Sequence, residues 1–126
     1  MKLILLYALL VFAVDIFSQN CSPVPLPTTF RAGTFPLRAQ DVIWSSDGCW
    51  IVAGSISTTQ DQDAFIAKIH PSGAVVWAYR IGSNGNEHFQ RIKHCADGHF
   101  ILLGTSTSFN TSESYFLVKI TGNGQI

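Results

Sequence analysis

The chain has 126 residues, 47% of them hydrophobic and only 13% charged, with eight basic and eight acidic side chains that cancel. A balanced charge gives no field to gather phosphate backbones or anionic lipid surfaces, so composition argues against nucleic acid as a partner. The length suits one modest domain and leaves room for little else.

The chain opens with Lys2, an unbroken apolar run from Leu3 to Val14, and Asp15. A membrane-spanning helix needs about 20 apolar residues, so this run is too short to span and reads as a secretory signal peptide over residues 1–18. Without it, seven basic and seven acidic side chains remain. A lipid anchor on Cys21 is the competing reading, but Gln19 and Asn20 stand where small residues are wanted. Residues 19–27 form a Pro-rich spacer, since the alternation Pro23, Pro25, Pro27 favours an extended chain poor in hydrogen bonds.

From Thr28 onward β-branched and aromatic residues dominate, turn residues recur every eight to fifteen positions, and no window carries helical periodicity, which predicts an all-β body. That body repeats itself. Asp47-Gly48-Cys49-Trp50-Ile51-Val52-Ala53-Gly54 returns fifty residues later as Asp97-Gly98-His99-Phe100-Ile101-Leu102-Leu103-Gly104, and Ala64-Phe65-Ile66-Ala67-Lys68-Ile69 returns as Tyr115-Phe116-Leu117-Val118-Lys119-Ile120. A period near fifty with strand content is the pattern of β-propeller blades of four antiparallel strands, of which about two are present.

In chain order, Thr28 to Gly33 reads as a strand (residues 28–33), because Phe30-Arg31-Ala32-Gly33 matches Tyr79-Arg80-Ile81-Gly82 in type. The first blade spans about residues 39–83, with strands near 40–45, Cys49 to Ser55, Asp63 to Ile69 and Ala74 to Ile81. Asp47-Gly48 and Pro71-Ser72-Gly73 turn it. The partial second blade covers about residues 88–126, with strands at Phe89 to Cys95, His99 to Thr105 and Ser114 to Ile120. The second strand of each unit is apolar at consecutive positions, as a strand covered on both faces is. The fourth strand, with Arg80 among its apolar residues, suits a sheet edge.

Across residues 28–126 the chain resembles a family of secreted bacterial β-propeller repeat proteins whose blades carry a D-G-G-Y-I-V-A-G strand, a D-x-Y-L-V-K-L strand, a D-x-x-G-N-V-x-W segment and a Y-G-G-S-x-x-D turn. The matching segments are Asp47 to Gly54, Asp63 to Ile69, His70 to Trp77 and Ile81 to Glu87. Cys49 and His99 stand where the family has a second glycine, and His70 and Thr121 where it has an aspartate. The resemblance implies a propeller fold and a surface or extracellular location in Gram-negative bacteria, and it implies no particular ligand.

Candidate chemistry is sparse. Asp61-Gln62-Asp63 places two carboxylates within reach of one hard cation, but the glycine and closing glutamate of a calcium loop are missing, so turn carboxylates are the preferred reading. His88, His94 and His99 lie close in sequence, yet Trp44 and Cys49 take the places of His94 and His99 in the first copy, which favours interchangeable packing positions over a zinc site. Cys21, Cys49 and Cys95 match no metal spacing and read as small apolar fillers with one optional bridge. Asn20 and Asn110 head glycosylation sequons, usable in a eukaryotic source. Trp50 and Trp77 read as structural, which leaves Trp44 as the one candidate exposed aromatic for stacking on a ligand. No nucleophile motif, paired glutamates or phosphate-binding loop occurs, so no catalytic residue, metal or cofactor is assigned.

The expected function is therefore a secreted or cell-surface binding, adhesion or scaffolding module with an extracellular protein or glycan as partner and no membrane span. A small lectin closing its propeller by homo-oligomerisation is the alternative, and part of a propeller enzyme with its catalytic groups in other blades is a third reading. Two blades would leave two broad apolar faces in water, with Ile51, Val52, Ile101 and Leu102 typical of them, so further blades or partner copies are expected to cover them. Because Gln125-Ile126 stands where a fourth strand should open, the chain is expected to be a piece of a longer protein.

Overall fold

The computed structural model describes residues 34–109 and 112–126. The predicted signal peptide, spacer and strand at residues 28–33 lie outside the described residues, as do Cys21, Asn20 and Asn110. Every regular element described is a β-strand: β1 (Leu37–Trp44), β2 (Trp50–Ser57), β3 (Gln62–Ile69), β4 (Val75–Ile81), β5 (Glu87–His94), β6 (Phe100–Ser106) and β7 (Ser114–Ile120). They form two antiparallel sheets, one of four strands in the order β1-β2-β3-β4 and one of three in the order β5-β6-β7. Neither sheet closes on itself.

The doubled sequence becomes doubled geometry. Val42 pairs with Val52 and Trp44 with Trp50 in the first sheet, as Ile92 pairs with Leu102 and His94 with Phe100 in the second. Each first strand carries a bulge at the same place, between Ala39 and Asp41 and between Phe89 and Arg91. Four turns share one geometry. Gly48, Gly73, Gly98 and Gly124 adopt φ of 82°, 88°, 78° and 85°, a region that L side chains avoid. In each, the glycine N–H donates to the residue three before it, and that residue's own N–H donates back to the carbonyl beyond the glycine, as in Gly48 to Ser45 (3.0 Å) and Ser45 to Cys49 (2.8 Å). This is the type I turn plus bulge of a short hairpin.

The sheets stack with β5 lying across β1, β2 and β3. Ile51, Ala53, Ala64 and Ile66 from one face of the first sheet meet Phe89, Ile92, Phe100, Leu102 and Ile120 from the second, all 2% exposed or less. Burial of the large side chains in this layer contributes about 1.5–3 kcal/mol each, which makes it the main adhesive between the sheets. The sequence placed Ile51 and Leu102 with Val52 and Ile101 on faces left in water. Ile51 and Leu102 are instead buried in the contact between the sheets, and only Val52 and Ile101 lie on the far sides, half-buried. Adjacent strand residues point to opposite faces, so one member of each apolar pair enters the contact and the other leaves it.

Polar ties fix the stacking. The Ile92 N–H donates to Asp41 Oδ2 at 2.9 Å, and His94 Nε2 donates to the Trp44 carbonyl at 2.8 Å. At the far side of the same contact Lys68 Nζ (2.9 Å) and Trp77 Nε1 (3.3 Å) both donate to the Gly122 carbonyl in the turn after β7. Lys68 is buried, and Asp47 also accepts from it. A buried ammonium needs such partners, because its desolvation is otherwise too costly.

Candidate functional site

The two ends of the stacked sheets differ in chemistry. One end carries the four tight glycine turns. The other carries the longer connections β2–β3, β4–β5 and β6–β7, which together enclose an open cleft of about 600 Å³. The lining comes from residues 57–62 of the first sheet, from Asn86 and His88 at the entry to β5, and from Thr107 and Glu113 in the connection β6–β7. Every lining side chain is polar, and the acidic ones are Asp61 and Glu113.

Asn86 holds the cleft together. Its Oδ1 accepts the Gln62 N–H at 3.0 Å, its N–H donates to Thr107 Oγ1 at 2.8 Å, and its carbonyl accepts the Thr107 N–H at 3.0 Å. One residue of the connection between the sheets thus ties the start of β3 to the end of β6. Thr58 shapes the facing wall by accepting the Gln60 and Asp61 N–H groups on its Oγ1, at 3.2 and 3.0 Å, and donating to Asp61. His88 reaches Thr105 Oγ1 with its Nε2 at 2.9 Å.

Beneath the cleft, Glu87 is 4% exposed and accepts from the Ser83 N–H at 3.0 Å, from Ser106 Oγ at 2.6 Å and from Ser108 Oγ. Burial pushes its carboxyl up, but these three donors outweigh that and hold it below the usual glutamate value. Asp63, also buried, behaves oppositely. Burial raises its pKa, with the charges of Asp61 and Glu87 adding to the rise and Arg80, 3.0 Å away, only partly offsetting it. Gly82 packs directly on this carboxylate, leaving no room for a side chain.

Of the residues singled out from sequence, Asp61 lines the cleft while Asp63 pairs with Arg80. His88 lines the cleft, but His94 and His99 belong to the opposite end, where His94 bonds Trp44 and His99 Nδ1 lies 3.1 Å from Asp97. The three histidines are not brought together, and among the described residues no group of three or more His, Cys, Asp and Glu is placed to hold a metal. Trp44, the candidate aromatic for ligand stacking, closes β1. It is half-buried, with its ring edge-on to Trp50 at 4.2 Å and 80°, at the end away from the cleft. Trp50 is itself half-buried, and Trp77 spans the contact between the sheets through Gly122. Cys49 and Cys95 are free thiols, and burial raises the pKa of Cys49, which suits a filler and not a nucleophile.

Sequence reading missed the cleft because its walls come from three separated loops with no motif in common. The available signal was an asymmetry of connections, glycine turns at one end and runs such as Ser57-Thr58-Thr59-Gln60 at the other. Comparison with family models, with curated proteins and with solved structures finds no match to this chain. No described helix is long and apolar enough to cross a membrane.

Proposed function

We propose that this chain is a secreted or cell-surface β-propeller repeat module whose two sheets are successive blades and whose polar cleft binds an extracellular partner. The observation that carries the reading is the joining of both sheets at one end by Asn86, which brings three separate loops into a single surface. Loops held on a rigid sheet scaffold are where binding residues concentrate. Hydroxyl and amide side chains such as Thr59, Gln60, Gln62 and Thr107 offer both donors and acceptors to a ligand that can use them.

That lining favours a glycan over a flat protein surface, so a lectin is the more specific form of the same reading. Recognition would rest on hydrogen bonds in the cleft, and Trp44 has no part in it. A glycan array probed with the full chain tests this, followed by calorimetry of any ligand found against Gln60→Ala and Glu113→Gln. Both substitutions alter exposed lining residues and are expected to weaken binding about tenfold, while Trp44→Phe leaves it unchanged. Binding that survives both cleft substitutions and is lost with Trp44→Phe would overturn the reading.

A further inference from the structure

We infer that Asn86 is the specificity-determining residue of the cleft, its side-chain Nδ2 donating to a hydroxyl oxygen of a neutral sugar. This rests on the reading of the cleft as a glycan site and adds which atom selects the ligand and which sugars it admits. Asn86 is exposed and lines the cleft. Three of its four polar groups are engaged inside the chain: its N–H donates to Thr107 Oγ1 at 2.8 Å, its carbonyl accepts the Thr107 N–H at 3.0 Å, and its Oδ1 accepts the Gln62 N–H at 3.0 Å. The fourth, Nδ2, has no partner among the described residues. It keeps both of its N–H donors for a ligand.

The same bonds fix where that donor stands. Turned over, the amide would set its NH2 group against the Gln62 N–H, so the Gln62 donor dictates the orientation. The residues on either side are held to the β6–β7 connection as well. A Cβ on Gly85 would come within 2.7 Å of Thr107 Oγ1, and the buried Glu87 accepts from Ser106 and Ser108. A donor held this way loses little freedom when a ligand arrives, which makes its hydrogen bond selective. The two repeats separate this role from the needs of the fold. Strand pairing sets Leu37 against Ile56 and Glu87 against Ser106, so Pro36 and Ser57 hold the places of Asn86 and Thr107. The Ser57 N–H donates to the Pro36 carbonyl at 3.0 Å, as the Thr107 N–H donates to the Asn86 carbonyl. The first sheet makes this bond with a residue that has neither an N–H nor a side-chain amide. Strand pairing here needs only the carbonyl, and the Asn86 side chain goes beyond it to Gln62 and the cleft.

Charge decides the class of acceptor. Asp61 and Glu113 are the acidic residues of the lining, and no Lys or Arg is among its described members. A sulfate or a sugar carboxylate would satisfy the Asn86 donor but would enter a cleft lined by like charge, which opposes it. A sugar hydroxyl meets both demands, because its oxygen accepts from Nδ2 while its proton is donated to a carboxylate.

The full chain, labelled with nitrogen-15, is titrated with the methyl glycosides of glucose, galactose and mannose and with those of the matching uronic acids, which carry a carboxylate in place of the primary alcohol. The side-chain amide signals of Asn86 are followed together with the backbone amides of the cleft. Asn86→Asp and Asn86→Ala are titrated in the same way, with thermal unfolding recorded for each. The aspartate keeps the acceptor for the Gln62 N–H and loses only the donor, whereas the alanine loses both. A neutral glycoside is expected to shift the Asn86 side-chain signals and to bind more tightly than its acidic counterpart. Asn86→Asp is expected to weaken that binding about tenfold or more while keeping the melting temperature. An Asn86→Asp variant that binds as tightly as the unsubstituted chain would show that Asn86 only ties the loops together, and would overturn the proposal. So would Asn86 side-chain signals that stay unmoved while other cleft amides shift, or a uronic acid that binds as well as its neutral partner. The side-chain signals are read on the unsubstituted chain, so the proposal is tested even if neither variant folds. Each of these failures leaves sugar binding at the cleft standing, whereas a cleft that responds to no glycoside overturns the glycan reading and this inference together.

Discussion

Lys68 and Lys119 hold the same place in their sheets and face the same turn aspartate, Asp47 and Asp97 respectively, yet the Lys68 side chain is 6% exposed and that of Lys119 54%. The difference lies in what covers them. The turn after β7 closes over Lys68 and gives it the Gly122 carbonyl, whereas Lys119 lies on the uncovered face of the second sheet.

Lys68→Ala is expected to lower stability by about 2 kcal/mol, since it removes a buried charged donor and strips the Gly122 carbonyl of a partner. Lys119→Ala is expected to lower the denaturation midpoint far less, because exposed ion pairs contribute little. Urea unfolding of the two variants checks the contrast. Equal losses at the two positions would mean that the turn after β7 does not cover the first sheet.

Glycine carries a second contrast. A Cβ on Gly54 would come within 1.8 Å of the Arg38 carbonyl oxygen, because the bulge between Ala39 and Asp41 presses β1 against β2 there. Gly54→Ala must therefore move backbone and is expected to cost about 3 kcal/mol or more. Gly122 has open space around its missing side chain and no positive φ. Gly122→Ala is expected to change stability by less than about 1 kcal/mol, in the stabilising direction, by stiffening the unfolded chain.

The bulges also set how much of the fold could be read from sequence. The glycine turns, the repeat and strands β2, β3, β4, β6 and β7 are legible to within about two residues, because Asp-Gly and Ser-Gly pairs mark their ends. β1 and β5 begin earlier than expected, at Leu37 and Glu87. In each, one bulged glutamine, Gln40 or Gln90, breaks the two-residue alternation, so that Phe89 and Ile92 share a face although they are three apart. Which apolar face of a strand meets the other sheet was not legible either. Ile51 and Val52 are equally apolar, and only the direction of stacking decides that the first is buried in the contact between the sheets. The cleft was illegible for a related reason, since Gln62, Asn86 and Thr107 meet through tertiary pairing alone.

Acid is expected to destabilise the chain between about pH 4 and pH 2. Asp97 accepts from Lys119 and from the His99 N–H, which lower its pKa to about 2, and Asp47 and Glu87 are lowered by Lys68 and by the serine donors. A carboxyl with a depressed folded value stabilises the native state above its unfolded value near 4, and that contribution disappears as pH falls through the folded value. Asp63, raised by burial, acts in the opposite sense but is one group against three. Thermal melts from pH 5 to pH 2 should show a falling midpoint, less steep in Asp97→Asn. A midpoint that rises on acidification would contradict these assignments.

The central claim is that ligands bind where the loops of both sheets converge, and amide chemical shifts recorded during titration with a glycan found on the array test it most directly. The expected result is a continuous patch of shifted resonances from Thr58 to Gln62, at Asn86 and His88, and at Thr107, with Ser45 to Cys49 and Cys95 to His99 at the opposite end unmoved. Shifts confined to Trp44, Asp47 and Asp97, with the Asn86 amide unchanged at saturation, would contradict it.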